Sequence, residues 1–74
     1  MSALRWSADR FDQLEAAARR GKRVVLTRRG TEYVVVAVAL RAEGPRESLV
    51  GRLPMTGEEL SFVLDELESF HVLE

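Results

Sequence analysis

Four basic side chains lie at positions where together they could bind phosphate. A corner containing Gly30 separates two apolar runs, the second of which covers residues 33–40. Gly readily adopts the positive φ of a two-residue turn, so this pattern predicts a β-hairpin. The hairpin would carry cations at its tip and at its base. These four residues are Lys22, Arg23, Arg28 and Arg29.

Other residue types that could perform chemistry do not form a site. His71 is the only histidine, and there is no cysteine. A catalytic histidine needs an oriented nucleophile, and none can be argued here. The acidic pairs at 58–59 and 65–66 have no interleaved His or Asn ligands, so a solvated helix face explains them better than a metal site. We therefore expect no enzyme, no cofactor, no metal and no small-molecule substrate.

A helix and a short strand are expected before the hairpin. Residues 3–6 predict a short first strand. Ser7 is a favourable N-cap, and Gly21 is a typical helix stop, so a helix is expected from residue 8 to about residue 20. The hairpin strands are then expected at 23–28 and 32–40.

The C-terminal third predicts an amphipathic helix over residues 55–72, after a linker at 42–54. Thr56 and Glu59 have the spacing of a capping box. Apolar residues follow at helical spacing, with Phe62 off the main stripe. The stripe consists of Leu60, Val63, Leu64, Leu67 and Phe70.

Length and charge suggest partners. A chain of 74 residues without cysteine has a small core, and oligomerisation is one remedy. Residues 33–40 are apolar on both faces, which calls for a second layer from the C-terminal helix or from another copy; we expect a homodimer.

Residues 1–52 carry all eleven Lys and Arg and six acids, whereas residues 53–74 carry six acids and no base. This polarity favours two partners of opposite sign; the alternative is attraction between the two halves of the chain.

The chain has neither an apolar run of about 18 residues nor the apolar region of a signal peptide. We therefore expect a cytoplasmic protein that does not enter a membrane.

The segment over residues 7–40 resembles the prevent-host-death (Phd/YefM-type) antitoxins of bacterial toxin–antitoxin operons. Their pattern is a helix ending in Gly, a strand of the form V-x-I-T-R-R-G, and a second hydrophobic strand. Here the strand motif reads Val24-Val25-Leu26-Thr27-Arg28-Arg29-Gly30. The expected fold class is therefore α+β: a short N-terminal strand, a helix, a β-hairpin and a C-terminal amphipathic helix, in a dimer.

The resemblance implies an antitoxin that represses its own operon. The dimerisation and DNA-binding domain would be residues 1–41, and residues 55–72 would neutralise a cognate toxin. The expected DNA-binding residues are Arg10, Lys22, Arg23, Arg28 and Arg29. The expected toxin-binding residues are Leu60, Phe62, Val63, Leu64, Leu67 and Phe70.

One departure supports a different function. The family begins with S-x-x-E-A-R-x-N-L, which Ser7-Ala-Asp-Arg10 matches only with a deletion in the first helix. Since that helix helps the family dock on DNA, the alternative is a small dimeric α/β interaction module, or adaptor, without DNA binding.

Overall fold

The computed structural model describes residues 6–73 and begins with one helix, α1 (Ala8–Arg20). The Ser7 side chain accepts a hydrogen bond from the backbone N–H of Arg10 at 3.3 Å, as an N-cap does. Gly21 ends the helix in the left-handed conformation, with φ of 63°. The predicted helix and both of its caps are confirmed. Of the predicted short strand at 3–6, residues 3–5 lie outside the described residues, and Trp6 is in no strand.

The predicted hairpin is also confirmed, as β1 (Arg23–Arg28) and β2 (Thr31–Glu43). Arg28 pairs with Thr31, so the turn contains two residues. Both have positive φ, 51° at Arg29 and 75° at Gly30. Two successive positive φ values define the turn type that matches the twist of a hairpin.

The prediction of a C-terminal helix is wrong, and with it the predicted fold class. After β2 the chain forms β3 (Arg46–Arg52), β4 (Glu59–Val63), a single 3-10 turn (Leu64–Glu66) and β5 (Leu67–Val72). Together with the hairpin these strands make one five-stranded antiparallel sheet. Residues 42–54, expected to be a linker, contain β3, which lies inside this sheet.

The predicted capping box is a turn rather than a helix start. The Thr56 side-chain oxygen accepts a hydrogen bond from the backbone N–H of Glu58, two residues on, at 3.2 Å. Gly57 between them has a φ of 77°, which ordinary residues rarely adopt. Thr side chains favour such local turns as well as helix caps.

The sheet curls strongly. Its strand order is β4-β3-β2-β1-β5, so the two edge strands are the two joined by the 3-10 turn. From Val63, the last residue of β4, to Leu67, the first residue of β5, the chain takes four Cα steps, which span at most about 14 Å. The edges of a flat five-stranded sheet would lie about 19 Å apart. The edges must therefore bend toward each other, and α1 packs against the same core.

The core lies inside this curl and draws on every element. Gly51 on β3 leaves room for the neighbouring strand: a Cβ there would lie 2.7 Å from Cγ2 of Val35. The buried hydrophobic cluster consists of Leu14, Ala17, Val24, Leu26, Val35, Ala37, Leu49, Phe62, Leu64 and Leu67.

Candidate functional site

The tip of the β1–β2 hairpin is held by contacts within the chain. The guanidinium carbon of Arg28 lies 5.3 Å from the ring centre of Tyr33 and 4.9 Å from that of Phe62. The two rings meet edge to face at 5.2 Å. Cations are attracted to aromatic faces at such distances. Arg28 is therefore part of a packed cation–aromatic cluster.

The residues beside Arg28 contact the acidic end of the chain. Arg29 Nη2 lies 3.6 Å from a carboxylate oxygen of Glu66. The backbone N–H of Gly30 donates to Oε1 of Glu68 at 3.3 Å. At this point the basic and acidic halves attract each other within one chain, which is the alternative explanation for the charge split.

The predicted DNA-binding residues do not form one patch. Arg10 lies in the first turn of α1, and Lys22 and Arg23 follow its last turn, about 15 Å along the helix. Arg28 is the last residue of β1, about 17 Å from Arg23 at its start, and Arg29 follows it in the turn. The five residues therefore occupy three separate places.

The predicted toxin-binding residues mostly belong to the core. Phe62, Leu64 and Leu67 are buried, with at most 5% of each exposed. Half-buried positions are Leu60, Val63 and Phe70, of which Leu60 and Phe70 also pack against the core. This segment is an integral part of the sheet, not an apolar helix face presented to a partner.

A different apolar surface lies on the outer side of the sheet. Alternate residues of β2 face opposite sides: Val35 is fully buried, whereas Val34 is 43% exposed. Val34 pairs with Val25 on β1. We call this surface the valine face; it consists of Val25, Val34 and Val36, none of which packs against the hydrophobic cluster.

Charged residues border the valine face. Val36 pairs with Arg23 on one side and with Arg52 on the other. Glu32 lies two residues before Val34 on the same face and pairs with Thr27. All three charged side chains are exposed. The face therefore has acid at one end, valines in the middle and bases at the other end.

Sequence reasoning recognised β2 as apolar on both faces but missed the partner of Arg28. The signal was the two-residue turn. It pairs Arg28 with Thr31, so Tyr33 is the diagonal neighbour of Arg28 on the same face, within reach of a long side chain.

Comparison with known proteins assigns no family. No protein-family model matches this chain, and a search of curated proteins also finds no match. In the part of the chain that the structure describes, no helix is long and apolar enough to cross a membrane. The same residues contain no group of three or more His, Cys, Asp or Glu side chains that could hold a metal ion.

Proposed function

We propose that this protein is a small interaction module that works as a homodimer, joined through the valine face. The observation that carries the proposal is the exposure of Val34 on the central strand of the sheet, among valines that do not reach the core. A single exposed valine would need no explanation. A contiguous apolar group on one face of a sheet is typical of a contact surface.

The charges around the valine face make it self-complementary. Consider a two-fold axis that crosses the strands at the level of Val34. It reverses the strand direction, so Glu32 of one copy lies over the Val36 row of the other, between Arg23 and Arg52. The same contacts repeat across the axis, as an isologous interface requires. Opposite charges then meet at both ends of a valine centre, which fixes the register of association.

Several features favour a module of this kind over a DNA-binding protein. The five bases expected to contact DNA occupy three places, and Arg28 is engaged with aromatic rings. Arg23 would lie in the dimer contact. What the dimer then binds is decided by the surfaces outside the valine face.

The test is a comparison of two aspartate substitutions. Val34→Asp puts a charge at the centre of the contact, whereas Met55→Asp changes an apolar residue that is 95% exposed and lies in the loop between β3 and β4. We expect sedimentation equilibrium to give a dimer for the wild type and for Met55→Asp, and a folded monomer for Val34→Asp. A desolvated, unpaired charge costs several kcal/mol, enough to dissociate an ordinary dimer. A Val34→Asp variant that still dimerises would refute the proposal.

An operator-binding antitoxin is the second candidate. It is favoured by the helix, the Gly21 stop and the hairpin, which occur at the positions of the resemblance. In this version a toxin would be bound by the folded surface of β4 and β5. A mobility-shift titration with the DNA upstream of the gene tests it. The antitoxin would be favoured if the logarithm of the DNA-binding constant falls linearly with the logarithm of the salt concentration, by about 0.9 per phosphate contact. A neighbouring toxin that the protein neutralises would also favour it.

A further inference from the structure

A groove of about 440 Å³ runs between α1 and the edge strand β5. Its helical wall is one stripe of α1, formed by Gln13, Ala16, Ala17 and Arg20 at positions i, i+3, i+4 and i+7. The opposite wall is β5, from Phe70 to Val72. Ligand pockets usually measure about 300–1,000 Å³, so the groove has the size of a small-molecule site.

Basic side chains line the groove, and no acidic side chain does. Arg20, Lys22 and His71 line it, and none of the lining residues is Asp or Glu. Within residues 6–73, neither Arg20 nor Lys22 forms a salt bridge. Their charges are therefore not balanced by a protein carboxylate, as Arg29 is by Glu66. An anion entering the groove would supply that balance.

The backbone that carries these cations is fixed. The N–H of Lys22 donates to the carbonyl oxygen of Ala17, and its carbonyl oxygen accepts from the N–H of Ala37, each at 2.9 Å. His71 is held in the β1–β5 ladder opposite Val25. Groups on a fixed backbone lose little conformational freedom when they bind a ligand.

The groove also has an apolar part. Ala16 and Ala17 are small, which leaves space beside the helix, and Phe70 forms the facing wall. The Phe70 ring is stacked on Trp6, with centroids 5.5 Å apart and planes at 19°. Trp6 in turn donates from Nε1 to the carbonyl oxygen of Leu64 at 3.0 Å. This fixed ring lines the same groove as Arg20 and Lys22.

We infer that the groove binds an organic phosphate, with the phosphate between Arg20 and Lys22 and a planar body beside Phe70. Arg and Lys are the usual phosphate-binding side chains. The Gln13 side-chain amide can donate a further hydrogen bond. A nucleoside monophosphate combines both features, so AMP is a suitable probe.

The experiment is calorimetric titration of the full chain with AMP, inorganic phosphate and adenosine. We expect AMP to bind more tightly than either part alone. Arg20→Gln and Lys22→Gln should each weaken AMP binding about tenfold, because each removes a charge-assisted hydrogen bond. Arg19→Gln is the matched control: it lies on the same last turn, is exposed, and does not line the groove. It should bind AMP like the wild type.

Three results would overturn this inference. The first is no detectable AMP binding at millimolar concentration by the folded wild type. The second is equal affinity of the wild type and both groove variants. The third is binding of duplex DNA that both groove variants weaken and with which AMP does not compete, which would make the groove part of a nucleic-acid surface. Circular dichroism of each variant checks that a loss of binding is not a loss of folding.

Discussion

The guanidinium of Arg28 lies 4.9 Å from the ring centre of Phe62. Sequence reasoning assigned these two residues to different partners, one to DNA and one to a toxin. The structure joins them, because β1 and β4 line the same curled sheet. A guanidinium over a buried ring is a structural contact first.

We predict that Arg28→Ala lowers the free energy of unfolding by about 1–2 kcal/mol, through loss of the stacking on Tyr33 and Phe62. Arg29→Ala is the control. Arg29 is 77% exposed and pairs only with Glu66 among the described residues, so it should change stability by at most about 0.5 kcal/mol. Urea denaturation followed by circular dichroism measures both. Equal effects of the two variants would contradict the assigned role of Arg28.

A chain ending at Pro54 should not fold. It lacks β4, the 3-10 turn and β5, and so loses Phe62, Leu64 and Leu67 from the core. The hypothesis of a separate toxin-binding helix predicts the opposite, a folded dimer that only fails to neutralise. Dispersed amide signals in the NMR spectrum of the truncated chain would support that hypothesis. A chain ending at Leu73 serves as the folded control.

Gly51→Ala should destabilise the protein by about 1–3 kcal/mol, since the added methyl would overlap Val35. The new Cβ would lie 2.9 Å from Cβ of Val35 as well as 2.7 Å from its Cγ2. In a Val35→Ala background the same substitution should cost less, because the contact with Cγ2 is gone and only the one between the two Cβ atoms remains. A double-mutant cycle measured by urea denaturation tests this. Additive effects would show that the strands separate to accommodate the methyl.

Ser48→Ala should leave stability unchanged or raise it by about 1 kcal/mol. The Ser48 side chain is 1% exposed, and its oxygen has no hydrogen-bond partner among the described residues. Removing an unsatisfied hydroxyl removes its desolvation cost. Ser61→Ala, at an exposed position on β4, is the matched control and should change little. A clear loss of stability in Ser48→Ala alone would reveal a hydrogen bond of that hydroxyl, to water for example.

The first half of the fold could be predicted because its signals are local. Ser7 and Gly21 delimit α1, and Gly30 fixes the two-residue turn, all within a few residues of the element that they control. Neither signal depends on what lies elsewhere in the chain. The apolar character of both faces of β2 could also be predicted, because it depends only on the residues of that strand.

The C-terminal half could not be predicted because its pairing is distant. Leu26 pairs with Phe70, and Arg28 with Leu67, about forty residues on. The helical spacing of the apolar residues there arises from two short strands joined by a 3-10 turn. Leu64 begins that turn, and Leu67 follows it three residues later. Short apolar runs of this kind do not distinguish strand from helix by spacing alone.

The positions of the basic residues along the sequence did not predict how these residues are arranged in space. Lys22 and Arg29 lie close to the same strand, yet one lines the α1–β5 groove and the other pairs with Glu66. Net charge along the chain describes composition, whereas a binding patch depends on which elements bring charges together. That arrangement follows from the strand order.

Charge reversal across the valine face tests the homodimer most directly. We predict that Glu32→Arg and Arg52→Glu each raise the dimer dissociation constant by at least about tenfold, because like charges then face each other. The double variant should recover most of the wild-type affinity, since the pair is restored with opposite polarity. Glu47→Arg, exposed near the start of β3, is the control and should not change it. Sedimentation equilibrium measures all four against the wild type. A monomeric wild type, or a double variant no better than the single ones, would contradict the proposed interface.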